Sequence, residues 1–226
     1  LRRKPLADIM RVGVPTALQS VMYSSSNIVI QAFINSFGTD AVAAWTAYSK
    51  MDVIFWMTLT AMSQAVTTFA GQNCGAGRYD RIQKGFSTGA VLMVAWGAFT
   101  SVVLIAFPEP LMRLFIQEAD VVEIGASYLR IMGLAEIFSC LEGLASGMFQ
   151  GMGHTVPPAV TGMAFNLFRI PAALLLSATA LGLSGIWWAM SLSMFLKGVV
   201  LPIWFILFLR RFMRAHKAAP AAEKPA

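Results

Sequence analysis

Six long apolar stretches constrain this chain more than anything else in it: Val14–Phe37, Val53–Ala70, Phe86–Phe107, Ser127–Gln150, Pro157–Leu181 and Gly185–Leu209. Each comes near the 20 residues or so that cross a hydrocarbon core of roughly 30 Å. Inside hydrocarbon the backbone amides must be satisfied within the segment itself, so each stretch is expected to be a helix. The fold class expected is therefore an all-α membrane protein of six transmembrane helices. Composition agrees, with 57% hydrophobic and 12% charged residues, where soluble domains carry about 25% charged.

The connections fix a direction. Arg2, Arg3, Lys4 and Arg11 precede the first stretch, Arg78, Arg81 and Lys84 follow the second, and Arg210, Arg211, Arg214, Lys217 and Lys224 follow the sixth. The opposite side holds only Lys50, Arg113 and Arg130. Twelve basic residues against three predict that both termini are cytoplasmic. The net charge of +6 is thus spread between apolar blocks, which predicts a lipid bilayer and no nucleic acid as partner. Residues 1–13 are expected to form a basic linker or amphipathic arm, 14–209 the membrane unit, and 210–226 a basic tail, disordered from Ala215 onward. Pro108 and Pro110 predict a short amphipathic helix on the outer surface. With leucine in first place and Arg-Arg-Lys directly behind it, the chain is expected to be a piece of a longer protein. Cys74 and Cys140 offer no pairing.

Two carboxylates, Glu136 and Glu142, fall inside the fourth stretch. On one continuous helix they share an arc of about 160° with Ser139, Cys140, Gly143, Ser146, Gly147 and Gln150. The other side holds Ile137, Phe138, Leu141, Leu144, Ala145 and Met148. An acid at mid-membrane costs about 2.5–3.5 kcal/mol on insertion scales and calls for a partner or a hydrated cavity. The first stretch aligns Ser20, Tyr23, Ser24, Asn27 and Gln31, and the second aligns Thr60, Ser63, Gln64 and Thr67. Arg169 with Asn166 and Gly162 marks the fifth, and Lys197 the sixth. Small and hydroxylated residues also serve as plain helix–helix glue, and two acids with two bases also make static ion pairs. Three coherent arcs favour a cavity wall, with Glu136, Glu142, Arg169, Lys197, Asn27, Gln31, Gln64, Gln150 and Asn166 as its polar members. Asp52 and Lys50, near the outer boundary, are read as snorkelling side chains, and His154 as part of a tight turn.

Enzyme chemistry finds no footing. HExxH, Walker A, C-x-x-C and serine-elbow patterns are absent. His154 and His216 lie outside the stretches and predict no metal site, and no cofactor is called for.

Gly71–Gly85 reads GQNCGAGRYDRIQKG. This stretch, with Gly71, Gln72, Asn73, Gly75 and Gly77, resembles the cytoplasmic loop after the second helix of a lobe in the multidrug and toxic compound extrusion (MATE) transporters. Gly13-Val14-Pro15 and Tyr128-Leu129-Arg130-Ile131 are similar to the openings of the first and fourth helices. Gly151, Gly153, Thr155 and Pro157, with Asn166, Arg169 and Pro171, extend the likeness over residues 1–210. Ser25, Ser26, Asn27 and Gln31 resemble the bacterial branch associated with DNA-damage-inducible protein F.

The resemblance implies one lobe, the C-terminal one, of a twelve-helix antiporter in the cell inner membrane. It implies multidrug efflux of small cationic or amphipathic compounds in exchange for H+ or Na+, by rocking against a missing N-terminal six-helix lobe. The first stretch lacks the carboxylate some members carry there, and in the branch resembled the coupling aspartate belongs to the other lobe. Coupling through this lobe and through the missing one both stay open. A lipid-linked saccharide flippase or polysaccharide exporter of the same superfamily, and a non-transporting structural subunit, are the alternative readings.

Overall fold

A computed structural model describes residues 3–218, all in helices and the turns between them. The helices are α1 (Arg3–Asn35), α2 (Thr39–Gly75), α3 (Tyr79–Ala106), α4 (Pro108–Arg113), α5 (Ala119–Gly133), α6 (Glu136–Gly151), α7 (Val156–Ser177) and α8 (Leu183–Ala218). Among the described residues α2, α3, α7 and α8 are long and apolar enough to cross a membrane. α5 and α6 together supply a fifth such span, bent by 50° at the break between them. α1 has the length, at 33 residues, but Gln19, Ser20, Ser24, Ser25, Ser26, Asn27 and Gln31 dilute its hydropathy.

Several boundaries differ from those expected, among them the start of α3, at Tyr79 rather than Phe86, and the end of α2, at Gly75 rather than Ala70. The residues read as an N-terminal arm are the start of α1, which runs unbroken through Pro15; Leu1 and Arg2 lie outside the described residues. α2 begins at Thr39, well before Val53. Its 37 residues span about 55 Å at 1.5 Å each, so its first turns stand beyond an ordinary hydrocarbon core. There Ala41, Ala44, Ala47 and Tyr48 are buried, and Trp45 stacks flat on Trp187 with ring centroids 5.9 Å apart. α8 continues past Leu209 to Ala218, so the tail expected from residue 210 begins as helix; residues 219–226 lie outside the described residues. The fourth stretch is two helices, not one. Ala135 N–H donates to Met132 O rather than continuing the i→i−4 ladder, and Leu134 is left exposed.

α6 is the centre of the bundle. It packs against α2, α3 and α8, with α7 touching it more lightly, and none of its residues is exposed. The expected greasy outer side is therefore inside: Leu144, Ala145 and Met148 are fully buried. Glycines make this possible. A Cβ on Gly147 would stand 2.8 Å from Ser63 O, and one on Gly97 would stand 2.9 Å from the Ile137 backbone. Close approach through small residues is the usual way membrane helices gain packing when lipid is as apolar as leucine.

Candidate functional site

The first polar cluster ties α1 to α7. Gly162 lies against the Gln19 side chain, and one turn further on Ser26 Oγ donates to Asn166 O at 2.9 Å. Arg169 then donates from Nε and Nη2 to Ser26 Oγ at 3.2 and 2.8 Å, and from Nη2 to Asn27 Oδ1 at 2.8 Å. Its guanidinium also lies 5.8 Å from the centre of the Tyr23 ring, within cation–π range. Arg169 is 4% exposed and, among the described residues, has no carboxylate in ion-pair reach. So the arc on α1 serves the α1–α7 contact as much as a cavity. Gln31 bonds Asn35 along its own helix.

The second cluster lies between α2 and α6. Ser63 Oγ donates to Gly143 O at 3.0 Å, and Gln150 Nε2 to Ser146 Oγ at 2.9 Å. A cleft of about 190 Å³ opens here, lined by Trp56, Leu59, Thr60, Ser63, Gln64, Ser139, Glu142, Gly143 and Ser146. The arcs expected on the second and fourth stretches do meet. Lys197 of α8 stands 3.2 Å from Glu142 Oε2 and neutralises it. Of the four expected buried charges, these two form the pair.

Glu136 stands apart from that cleft. The break places it in the first turn of α6, where unbonded N–H groups and the helix dipole suit an acid. It is 2% exposed, and its Oε2 finds no hydrogen-bond partner among the described residues. Tyr48, Asp52 and Tyr128 are near enough to interact with it electrostatically.

Asp52 is the residue the sequence undersold. Its neighbour Lys50 is exposed, as expected of a snorkelling side chain, but Asp52 accepts a 2.6 Å hydrogen bond from the Tyr48 hydroxyl. It also lines a cleft of about 640 Å³ with Tyr23, Val53, Trp56, Met57, Thr60 and Ala61. α1 leans chiefly on α7 and only lightly on α2, which leaves this cleft open. Trp56 and Thr60 belong to both clefts. Asp52, Trp56, Thr60 and Gln64 recur every fourth residue, so one stripe of α2 carries a polar path along both openings. The signal in the sequence was that spacing, which extends the arc of the second stretch two turns back to Asp52.

The glycine-rich motif is not a loop. Gly71–Gly75 is the last part of α2, and the chain turns only at Ala76–Arg78. Gly71 meets Gly151 O, 3.2 Å from where a Cβ would sit. Asn73 is buried and bonds back to Phe69 O, Gln72 is exposed, and Gly77 takes φ +67°, which favours glycine. His154, after Gly153 at φ +77°, lies against the Phe208 ring at 4.7 Å, a packing role. Cys74 and Cys140 are both free.

A helical bundle with buried charges beside open clefts, and large apolar side chains over its outside, defines a unit of a multi-pass membrane transporter. The MatE family matches residues 15–175, and the chain belongs to that family, one of transporters rather than enzymes. It is 25% identical over 201 residues to the probable multidrug resistance protein NorM of Thermotoga maritima, covering 88% of this chain and 43% of that protein. It is 28% identical over 181 residues to the probable multidrug resistance protein YpnP of Bacillus subtilis, covering 80% and 40%. A crystal structure of a MATE transporter in the bent conformation superposes with a TM-score of 0.89 at 18% identity, covering 96% of this chain and 49% of that one. The chain spans less than half the length of these relatives.

Proposed function

We propose that this lobe is half of a secondary active exporter of cationic or amphipathic compounds in a bacterial inner membrane, exchanging them for H+ or Na+. A second lobe of like size would complete it, with both termini of this one in the cytoplasm. The observation that carries the reading is the stripe Asp52–Trp56–Thr60–Gln64, shared by two clefts, with Glu142 across from it and Glu136 buried behind. An acid beside two aromatic rings, with Tyr23 and Trp56 6.4 Å apart, suits a flat organic cation: the rings supply area and cation–π attraction, the carboxylate supplies charge. Rocking of two such lobes would expose the clefts to each side in turn. The chain's relatives in Thermotoga maritima and Bacillus subtilis, named as probable multidrug resistance proteins, support the same reading. Asn27, Gln31, Gln64 and Gln150 would offer hydrogen bonds along the route.

The test is efflux by the full-length transporter at matched expression, comparing Asp52→Asn, Glu136→Gln and Glu142→Gln with the unmodified protein. Each is expected to lower resistance to cationic dyes, with Asp52→Asn raising the dye concentration needed for half-maximal transport. Full efflux by all three would sink the proposal.

A further inference from the structure

α3 carries a feature unrelated to the clefts. Arg81, Lys84, Gly85, Thr88, Gly89 and Leu92 lie on one face of it, within an arc of about 140° at 100° per residue. With Ala65, Val66 and Phe69 of α2 and Met148 of α6 they line a groove of about 570 Å³. Where α3 would present side chains, Gly85 and Gly89 present none, and the edge of the Phe69 ring and the Leu144 and Val66 methyls form the floor. Apart from Arg81 and Lys84 the lining is apolar or small. The two cations stand at one end, both exposed, in the first two turns of the helix. Asp80, the acid of those turns, is set about 100° round the helix from Arg81 but only about 40° from Lys84, four residues on. Arg81 is thus the cation free of a neighbouring acid on its own helix, and Lys84 shares its charge with Asp80. The exposed Val91, Leu92, Phe99 and Val102 continue α3 as a lipid-type surface.

We infer that this groove holds an anionic phospholipid, its phosphate on Arg81 and Lys84 and an acyl chain along Gly85, Thr88, Gly89 and Leu92. Arg81 to Leu92 is eleven residues, or about 16 Å of helix. That matches one leaflet, half of a hydrocarbon core of roughly 30 Å. A guanidinium and an ammonium one turn apart suit a phosphodiester, to which arginine offers paired N–H donors and lysine a point charge. Basic side chains at a membrane surface each strengthen binding of anionic lipid about fivefold. The lining comes from three helices, so a chain seated there would be held by α2, α3 and α6 at once. The occupant is thereby a structural lipid of the leaflet that the basic residues face.

Native mass spectrometry of the full-length transporter, titrated with dioleoyl phosphatidylglycerol and separately with dioleoyl phosphatidylcholine, reads the occupancy. Phosphatidylglycerol is expected to bind preferentially. Arg81→Gln with Lys84→Gln should weaken it about thirtyfold and leave phosphatidylcholine unchanged, while Arg210→Gln with Arg211→Gln should alter neither. Thr88→Phe, at an exposed position, should fill the groove and weaken both lipids. Equal losses from the two charge variants would assign the effect to diffuse surface charge and overturn the site. So would competition by chain-free glycerophosphoglycerol as strong as by the lipid, which would leave a phosphate site without a chain. A protein mass that is present in the unmodified transporter and lost with Thr88→Phe would give the groove to a protein and overturn the lipid.

Discussion

Lys197 Nζ stands 3.2 Å from Glu142 Oε2, and this pair joins α8 to α6 beside the α2–α6 cleft. Its two ends differ in setting: the lysine side chain is 8% exposed and the glutamate 20%. α8 comes this close because Gly198, the next residue, lies against the Phe138 backbone, where a Cβ would collide with the carbonyl. The acid thus reaches the cleft while its counter-charge stays behind it. On the proposed function, a cation entering the cleft would meet a carboxylate already paired with Lys197, so its binding there would compete with the lysine rather than with water alone.

Breaking that pair from one end leaves a buried charge unpaired. Lys197→Met is expected to destabilise the lobe by about 3 kcal/mol, read as a lowered midpoint in thermal or denaturant unfolding of the full-length transporter in detergent. Glu142→Gln should cost less, because the lysine can still donate to the amide. The combination Lys197→Met with Glu142→Gln should recover most of the loss, since neither charge is then stranded. A double variant as unstable as the sum of the two singles would show that the residues act independently.

Arg169 does different work. Its guanidinium reaches Ser26 and Asn27 with three hydrogen bonds, and Asn166, one turn back, accepts from Ser26. A lysine offers one ammonium where this arrangement uses a planar fork. Arg169→Lys should therefore loosen α1 from α7 nearly as much as Arg169→Ala, by about 1–3 kcal/mol. Hydrogen–deuterium exchange of the α1 amides around Ser26 in the full-length transporter reads this directly, and should quicken in both variants. Exchange unchanged in Arg169→Lys would mean that charge alone holds the contact.

Much of this was legible because lipid leaves few options. Hydrophobic length gave the crossings, and residue type gave the buried charges. Periodicity then matched Gly162, Asn166 and Arg169 to one helix face, which does meet α1. Three things escaped it. A helical wheel assumes unbroken phase, and nothing as loud as a proline marks the bend at Leu134–Ala135; Gly133 is the sole local hint. The bend is made by tertiary packing, with Gly133 pressed against Leu104 and Ile105 of α3. Burial on both sides of α6 was also hidden, because membrane interiors and lipid select the same apolar residues. Asp52 fell outside the second stretch for a related reason: α2 begins fourteen residues before Val53, so Asp52 is about a third of the way along a helix.

The glycines of the family motif divide by geometry, and that division can be measured. A Cβ at Gly151 would run into Thr67 O and stand 2.7 Å from the Ala70 side chain, so α2 and α6 would have to part. At Gly75 a Cβ would meet nothing within 4 Å, and the residue is the last of α2 with no positive φ. Gly151→Ala is therefore expected to cost about 1–3 kcal/mol, as overpacking does. Gly75→Ala is expected to be neutral or to gain up to about 1 kcal/mol from the lowered entropy of the unfolded chain. Gly77→Ala, at φ +67°, should cost about 1 kcal/mol through backbone strain alone. Unfolding midpoints of the three variants in one detergent rank them as Gly151, then Gly77, then Gly75. A Gly75→Ala variant that folds as stably but fails in efflux would show that this glycine is kept for movement of the turn rather than for its packing.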